Sequence, residues 1–272
     1  MKKLSIITIN KDNIAGLQQT MQSVFSQTWQ GFEYIVIDGG STDGSVEVIR
    51  QCADKITYWI SELDVGVFNA MNKGIRQTKG EYLLFLNSGD FLVDENVLSS
   101  VFATEHKADI LCARCNVSDK GVVVCTFDAP EKITFGTLYF AGLAHQSTFV
   151  KRCLFDKLGL YREDFKYNAD VEFWYRSIIL GGATTERLNQ IITDYNLDGI
   201  SNRESKTETY KQEMQQIFNN PKLQLFAPDY EKWKQERNEM KILYWAKSQS
   251  LLYAFVKLMH QIAIFCIKIK KR

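Results

Sequence analysis

Breakers and histidines are scarce in this chain, with three prolines and three histidines in 272 residues. So few prolines exclude a proline-rich or collagen-like chain, and 45% hydrophobic content excludes a disordered one and suffices to bury a full core. Neither charge is in excess: 33 Lys and Arg face 32 Asp and Glu, so the basic surplus that marks a nucleic-acid binder is missing. The six cysteines, at 52, 112, 115, 125, 153 and 266, have no paired spacings that would build a disulfide framework. One Cys112-Ala-Arg-Cys115 stands without a second pair, which disfavours a zinc site and places both residues on a strand and its exit. The opening Met1 to Asn10 has too short an apolar run for a signal peptide, and a reducing cytoplasm is the expected compartment.

Two apolar runs end in small acidic turns: Tyr34-Ile-Val-Ile-Asp38 before Gly-Gly-Ser-Thr-Asp-Gly, and Tyr82-Leu-Leu-Phe-Leu-Asn87 before Ser-Gly-Asp90. Continuous Val/Ile/Leu runs read as buried parallel strands, and ligands of open α/β sheets bind outside their carboxyl ends. The segment Leu4 to Ile9 followed by Ile14, Leu17, Met21, Val24 and Phe25 reads as strand then helix. The same alternation recurs at 34–37 with 45–53, at 56–60 with 67–76, and at 82–86 with 96–104. Four βα units predict a mostly parallel sheet with right-handed crossovers.

After Asp109 the pattern changes. Ile110 to Ala113 and Gly121 to Phe127 read as strands that need not be parallel, 134–143 is broken by glycine, and Ala169 to Leu180 reads as a helix with Asp170 near its positive end. From Thr207 to Phe218 the chain is charged and helical; it breaks at Asn219-Asn-Pro221 and Pro228 and resumes at Tyr230. The expected organisation is a nucleotide-binding half at 1–108, an acceptor and catalytic-base half at 109–204, and a helical extension at 205–272. Residues 251–272 carry five basic side chains and no acid. Two readings of them stand: a helix lying in a membrane interface, and a terminal helix that docks on protein or pairs two subunits.

Three glycines make the Asp38-Gly-Gly-Ser-Thr-Asp-Gly44 turn tight and let a ligand approach the backbone, although Asp43 or Ser45 would also serve as an ordinary helix cap there. Asn87-Ser-Gly-Asp90 has the look of a turn for a hard divalent cation, which needs one or two carboxylates when phosphate and water fill its other positions. A solvated cap is the alternative.

Together with Thr8 and Asn10 these turns resemble the family 2 glycosyltransferases of the GT-A fold. The resemblance extends through Ser61-Glu-Leu-Asp-Val-Gly-Val-Phe-Asn-Ala-Met-Asn-Lys-Gly74, Gly80 to Asp90, His145-Gln-Ser-Thr-Phe149 and Asn168-Ala-Asp-Val-Glu-Phe-Trp-Tyr-Arg176. It implies an α/β fold: a mostly parallel twisted sheet flanked by helices, a Rossmann-like nucleotide half, an acceptor half and a helical C-terminal extension. It further implies that Thr8, Asn10 and Asp38, with Asp43, hold the uridine part of a nucleotide sugar. Asp64 would approach the base or ribose, Lys73 the phosphates or donor sugar, and Asp90 a Mg2+ or Mn2+ ion. Asn87 departs from the Asp-x-Asp pattern of metal-dependent members. Asp170 matches the base-bearing motif, with Glu172 its neighbouring rival; His145 would support the acceptor or diphosphate, and Arg176 would pair with a carboxylate or phosphate.

The expected activity is inverting transfer of a sugar from a nucleotide diphosphate, UDP above others, to an acceptor hydroxyl in cell-surface glycan assembly. The partners would be a nucleotide-sugar donor and a glycan or lipid-linked acceptor, with no nucleic acid, at the inner face of the cell membrane. A nucleotide-sugar-binding protein without turnover is one rival. A sugar-phosphate nucleotidylyltransferase is another, but Ile7 to Asn13 offers no Gly-rich triphosphate loop.

Overall fold

The computed structural model describes residues 2–197, 208–248 and 259. Its core is a nine-stranded sheet. The first half alternates strand and helix as the sequence predicts: β1 (Leu4–Asn10), α1 (Ile14–Phe25), β2 (Phe32–Asp38), α2 (Ser45–Gln51), β3 (Tyr58–Ser61), α3 (Val67–Gln77), β4 (Tyr82–Phe85), β5 (Phe91–Leu92) and α4 (Val97–Val101). Then come β6 (Ile110–Asp119), β7 (Val122–Phe127), α5 (Phe135–Phe140), β8 (Thr148–Lys151), α6 (Arg152–Leu158), α7 (Ala169–Trp174) and β9 (Thr185–Asn196). The strand order is β3-β2-β1-β4-β8-β6-β9-β5, with β7 paired to β6.

β1, β2, β3 and β4 are parallel, and β4 meets β8 antiparallel. The chain reverses its order between β1 and β4, the topological switch point at which open sheets leave a crevice. Register then decides what lines it. Asn10 pairs with Asp38, and Asp38 pairs with Ser61, so three polar residues align across the carboxyl ends of β1, β2 and β3. Beneath them Leu4, Ile6, Tyr34, Val36 and Leu84 are almost wholly buried against Leu17, Met21 and Val24 of α1. Burial of such side chains contributes about 1.5–3 kcal/mol each, which makes this end of the sheet a rigid platform.

In the second half β6 runs parallel to β9 but antiparallel to β7 and β8. Cys112 and Cys115 both lie within β6 rather than at its exit, on either side of a bulge. Burial pushes their thiols up to about 12 and about 11, against smaller opposing hydrogen bonds from Thr148 and Ser147. They stay protonated and unreactive at neutral pH. The stretch read as glycine-broken holds α5, whose start is capped reciprocally by Thr134 and Thr137. The helix expected over 169–180 forms, its last six residues widening to π geometry at Tyr175–Leu180.

The chain divides into two compact units, 1–219 and 220–272. The first includes α8 (Glu208–Phe218); the second contains α9 (Ala227–Ser248). Pro228 lies in the first turn of α9, where a missing N–H costs nothing, so it starts that helix rather than delaying it to Tyr230. Among the described residues no helix is long and apolar enough to cross a membrane. The basic segment 251–272 lies outside the described residues, Met259 apart.

Candidate active site

The Asp38 carboxylate is fully wired. Asp38 is buried, and its Oδ1 accepts from Asn10 Nδ2 at 2.9 Å and Ser41 Oγ at 2.6 Å. Its Oδ2 accepts from the Ser41 N–H at 2.9 Å and Ser61 Oγ at 2.6 Å. Burial, the largest influence, favours protonation, but these donors together hold the carboxyl below its ordinary range, so it remains charged. Gly40 takes φ +74°, which closes the turn and which a side chain would strain. Asp12 joins from the neighbouring loop, its Oδ1 accepting the Thr42 N–H at 2.8 Å. One acceptor stays open: Asn10 Oδ1 is buried without a partner among the described residues.

Asp64 closes over this turn, since a Cβ at Gly39 would stand 2.9 Å from its Oδ2. Lys73 holds it there. The ammonium donates to Asp64 at 2.6 Å and to the Leu63 carbonyl at 3.1 Å, and pairs with Glu62 at 2.8 Å. Burial opposes charge on Lys73, yet the two carboxylates raise its pKa above the ordinary value. Its three contacts are thus all to the 62–64 segment. Thr8 is buried, two residues deeper along β1 than Asn10, and accepts from the Tyr34 hydroxyl at 2.9 Å. Asp43 accepts from Ser45 N, Ser45 Oγ and the Ile14 N–H, tying the starts of α2 and α1 together as a cap.

The second acidic turn is built and left incomplete. Thr20 of α1 clamps it, donating to the Asp90 carbonyl at 2.7 Å and accepting the Gly89 N–H at 3.0 Å. Gly89 has φ +106°. Asp90 is only 6% exposed, and burial raises its pKa to about 7; the charge of His145 and N–H groups of Asn196 and Asn87 oppose the rise, and Asp194 adds to it. Asn87 Oδ1 and Asp194 Oδ1 are buried without partners among the described residues. Asp194, paired across strands with Phe91, was not picked out by sequence reasoning. A carboxylate breaking the apolar run Ile191-Ile-Thr was the available signal.

His145 connects this turn to Asp170. Its Nδ1 lies 3.5 Å from Asp170 Oδ2, and its Nε2 lies 3.2 Å from Asn87 Nδ2. With the ring proton on Nδ1, Nε2 accepts the Asn87 amide N–H, which leaves Asn87 Oδ1 open. Burial disfavours a charged ring, but Asp170, by hydrogen bond and charge, and Asp90, by charge, raise the His145 pKa. The neighbouring Glu172 carboxylate is gripped by Arg176 at 2.8–3.1 Å. The same guanidinium donates to the carbonyls of Leu158, Gly159 and Leu160. Of the two partners expected for Arg176, a carboxylate is the one present, that of Glu172.

Among the described residues no three His, Cys, Asp or Glu side chains form a cage for an ion. The Asp90 carboxylate and the open Oδ1 atoms of Asn87 and Asp194 are hard oxygens, and a Mg2+ or Mn2+ ion completed by phosphate oxygens suits such a partial set.

The sequence profile described as Glycosyl transferase family 2 matches residues 5–162, which spans β1 through Tyr161. An uncharacterized glycosyltransferase of Mycobacterium tuberculosis is 35% identical over 207 residues, 74% of this chain and 78% of its own length. A Mycobacterium bovis PGL/p-HBAD biosynthesis glycosyltransferase is 29% identical over 210 residues, covering 73% and 78%. In shape the chain is similar to S. aureus TarS 1-349 in complex with UDP-GlcNAc, with TM-score 0.66 and 20% identity over 79% of this chain and 65% of that one. The Pyrobaculum calidifontis mannosyltransferase PcManGT, in complex with GDP-Man and Mn2+, follows at TM-score 0.55 and 15% identity over 71% and 56%. The sheet is thus of the GT-A kind. With more than half of its length matched by one profile, and relatives that carry the same name, the chain belongs to the family 2 glycosyltransferases and is a transferase enzyme.

Proposed function

We propose that this enzyme transfers a sugar from a UDP donor to an acceptor hydroxyl with inversion at the anomeric carbon, in assembly of cell-surface glycans. One observation supports the reading: contacts of 3.5 and 3.2 Å link Asp170 through His145 to Asn87, so the Asp170 carboxylate stands near the Asp90 turn. Glycosyl transfer needs that proximity, because the acceptor loses its proton on one side of the anomeric carbon while diphosphate leaves on the other. Asp170 takes the hydroxyl proton as the acceptor oxygen bonds to the anomeric carbon and the bond to UDP breaks. A positioned base contributes about 10²- to 10⁴-fold to such a step. His145 keeps Asp170 oriented.

At the other turn, Asp38, Asn10 and Asp64 supply acceptors and a shaped wall for uridine, with the open Asn10 Oδ1 able to take an N–H or O–H of the nucleoside. A divalent cation held by Asp90, with Asn87 and Asp194 beside it, would supply positive charge to the leaving diphosphate. In this reading 1–108 is the donor half and 109–204 the acceptor half, and the basic 251–272 segment brings a cytoplasmic enzyme to a lipid-linked acceptor. A donor in UDP form is supported by the UDP-GlcNAc bound in the TarS structure.

The test is to incubate the full chain with a panel of UDP-hexoses and UDP-N-acetylhexosamines, with Mn2+ or Mg2+, and to read the anomeric configuration of the product by NMR. Inversion together with loss of turnover in Asp170→Asn is expected. Retention, or unchanged turnover in that variant, contradicts the reading.

A further inference from the structure

The N-cap residue of the segment that presents Asp170 does not cap it, although Asp170 Oδ1 itself accepts the Val171 N–H at 2.8 Å. Asn168 stands at the N-cap of α7, yet its side chain makes no capping bond there. An N-cap side chain ordinarily satisfies an N–H of the first turn, and its loss costs about 1 kcal/mol. Asn168 Nδ2 instead turns away, to Glu213 Oε2 at 3.0 Å and the Tyr210 carbonyl at 3.2 Å. Glu213 lies on α8, 45 residues along the chain, and is only 4% exposed.

Its carboxylate collects the backbone that leads into α7. Glu213 Oε1 accepts the Lys166 N–H at 2.5 Å; Oε2 accepts those of Tyr167 at 3.0 Å and Asn168 at 2.9 Å. Three consecutive N–H groups converging on one buried carboxylate fix the path of the loop two residues before Asp170. The helix that carries Glu213 is itself anchored. Phe218 packs 5.3 Å from Tyr175 and 5.4 Å from Tyr139, Ile217 is buried, and Gln216 accepts from Arg162. Asp170 and Glu213 both act on Tyr210, whose phenol is raised first by burial and then by those two charges. The matched family profile ends at residue 162, so α8 lies outside it.

We propose that Glu213 is a positioning residue for the catalytic base: it acts through the 166–168 backbone to hold Asp170 at His145, and α8 thereby belongs to the catalytic apparatus of this enzyme. The inference rests on the assignment of Asp170 as base. Glu213 offers two acceptor oxygens to four donors, whereas glutamine would set an amide N–H₂ against at least one backbone N–H. A shift of Asp170 by about 1 Å is enough to cost about 10²-fold in rate.

The experiment uses the full chain and the UDP-sugar of the panel that it turns over fastest, read as UDP release, with Glu213→Gln, Asp170→Asn and the double variant. The expected result is a fall in kcat of about 10- to 100-fold for Glu213→Gln, a donor KM within about threefold, and no further loss when it is added to Asp170→Asn. A kcat equal to that of the unaltered chain overturns the proposal. So does a loss that adds in full to that of Asp170→Asn, or a KM rise matching the kcat fall, since a general structural defect would produce either. If Glu213→Gln does not fold, Asn168→Ala keeps the carboxylate and its backbone bonds, and is expected to lower kcat about threefold or more with the same lack of additivity; full additivity there again overturns the proposal. Should Asp170→Asn turn over normally, the base assignment itself falls, and Glu213 with it. An inactive Asp170→Asn beside a fully active Glu213→Gln removes the positioning role alone.

Discussion

The two acidic turns stand at the carboxyl ends of parallel strands two places apart, and they are finished to different degrees. Both oxygens of Asp38 have donors, four in all, whereas around Asp90 two oxygens, those of Asn87 and Asp194, are buried with none among the described residues. A saturated carboxylate is a structural fixture that holds a cradle's shape before any ligand arrives. Buried acceptors without donors cost about 1–3 kcal/mol each unless a cation or donor satisfies them; among the described residues the first turn carries one such atom, Asn10 Oδ1, and the second carries two. The difference teaches that the Asp38 turn is the more preorganised of the two, its carboxylate satisfied within the protein.

The largest expected effect lies on the incomplete side. Asp170→Asn is expected to lower turnover by about 10²- to 10⁴-fold with UDP affinity retained, measured as initial rates beside calorimetric titration. Loss of UDP binding in that variant would blur the division between the halves.

Next comes a pair of isosteric changes whose opposite signs sharpen the contrast. Asp38→Asn places an amide N–H₂ among donors and is expected to destabilise the fold by about 1–3 kcal/mol in urea denaturation. Asp90→Asn removes a buried acid from an unfavourable setting and is expected to leave the metal-free protein as stable or more stable at neutral pH. Equal destabilisation by both would break the comparison.

The pH dependence follows from the same cause. Asp90 ionises at about 7 in the folded chain against an ordinary 3.8, so between those values the native state holds the extra proton. Its contribution to unfolding free energy therefore declines as pH rises from about 4 to about 7, and Asp90→Asn should lack that slope. Denaturation midpoints across this window measure it. The smallest effect is at Asp43, whose replacement by alanine removes a cap and is expected to cost about 1 kcal/mol.

Much of this was legible in the sequence because local pattern sufficed. The apolar runs ending at Asp38 and Asn87 became β2 and the segment beginning at β4, and the three-four spacing from Ile14 became α1. Asn10, Asp38, Asp64, Asp90, His145 and Asp170 do gather at the carboxyl ends of the strands or beside them. What sequence could not supply was depth and partnership. Thr8 shares a strand face with Asn10 but lies two residues deeper, under the Tyr34 hydroxyl. Lys73 and Arg176 have suitable charge for phosphate, yet nearby carboxylates and carbonyls claim them. Asp194 and Glu213 acquire meaning only from neighbours distant in sequence, which no local period encodes.

The central claim, that the Asp90 turn is the half completed by metal and diphosphate, is tested most directly by thermal shift with UDP, with and without Mn2+, in the unaltered chain and in Asp90→Asn. Ligand that binds only the folded state raises the melting temperature by mass action. The account predicts a UDP-induced rise that Mn2+ enlarges in the unaltered chain, and a rise in Asp90→Asn that Mn2+ leaves unchanged. A Mn2+ increment of equal size in both proteins would contradict it.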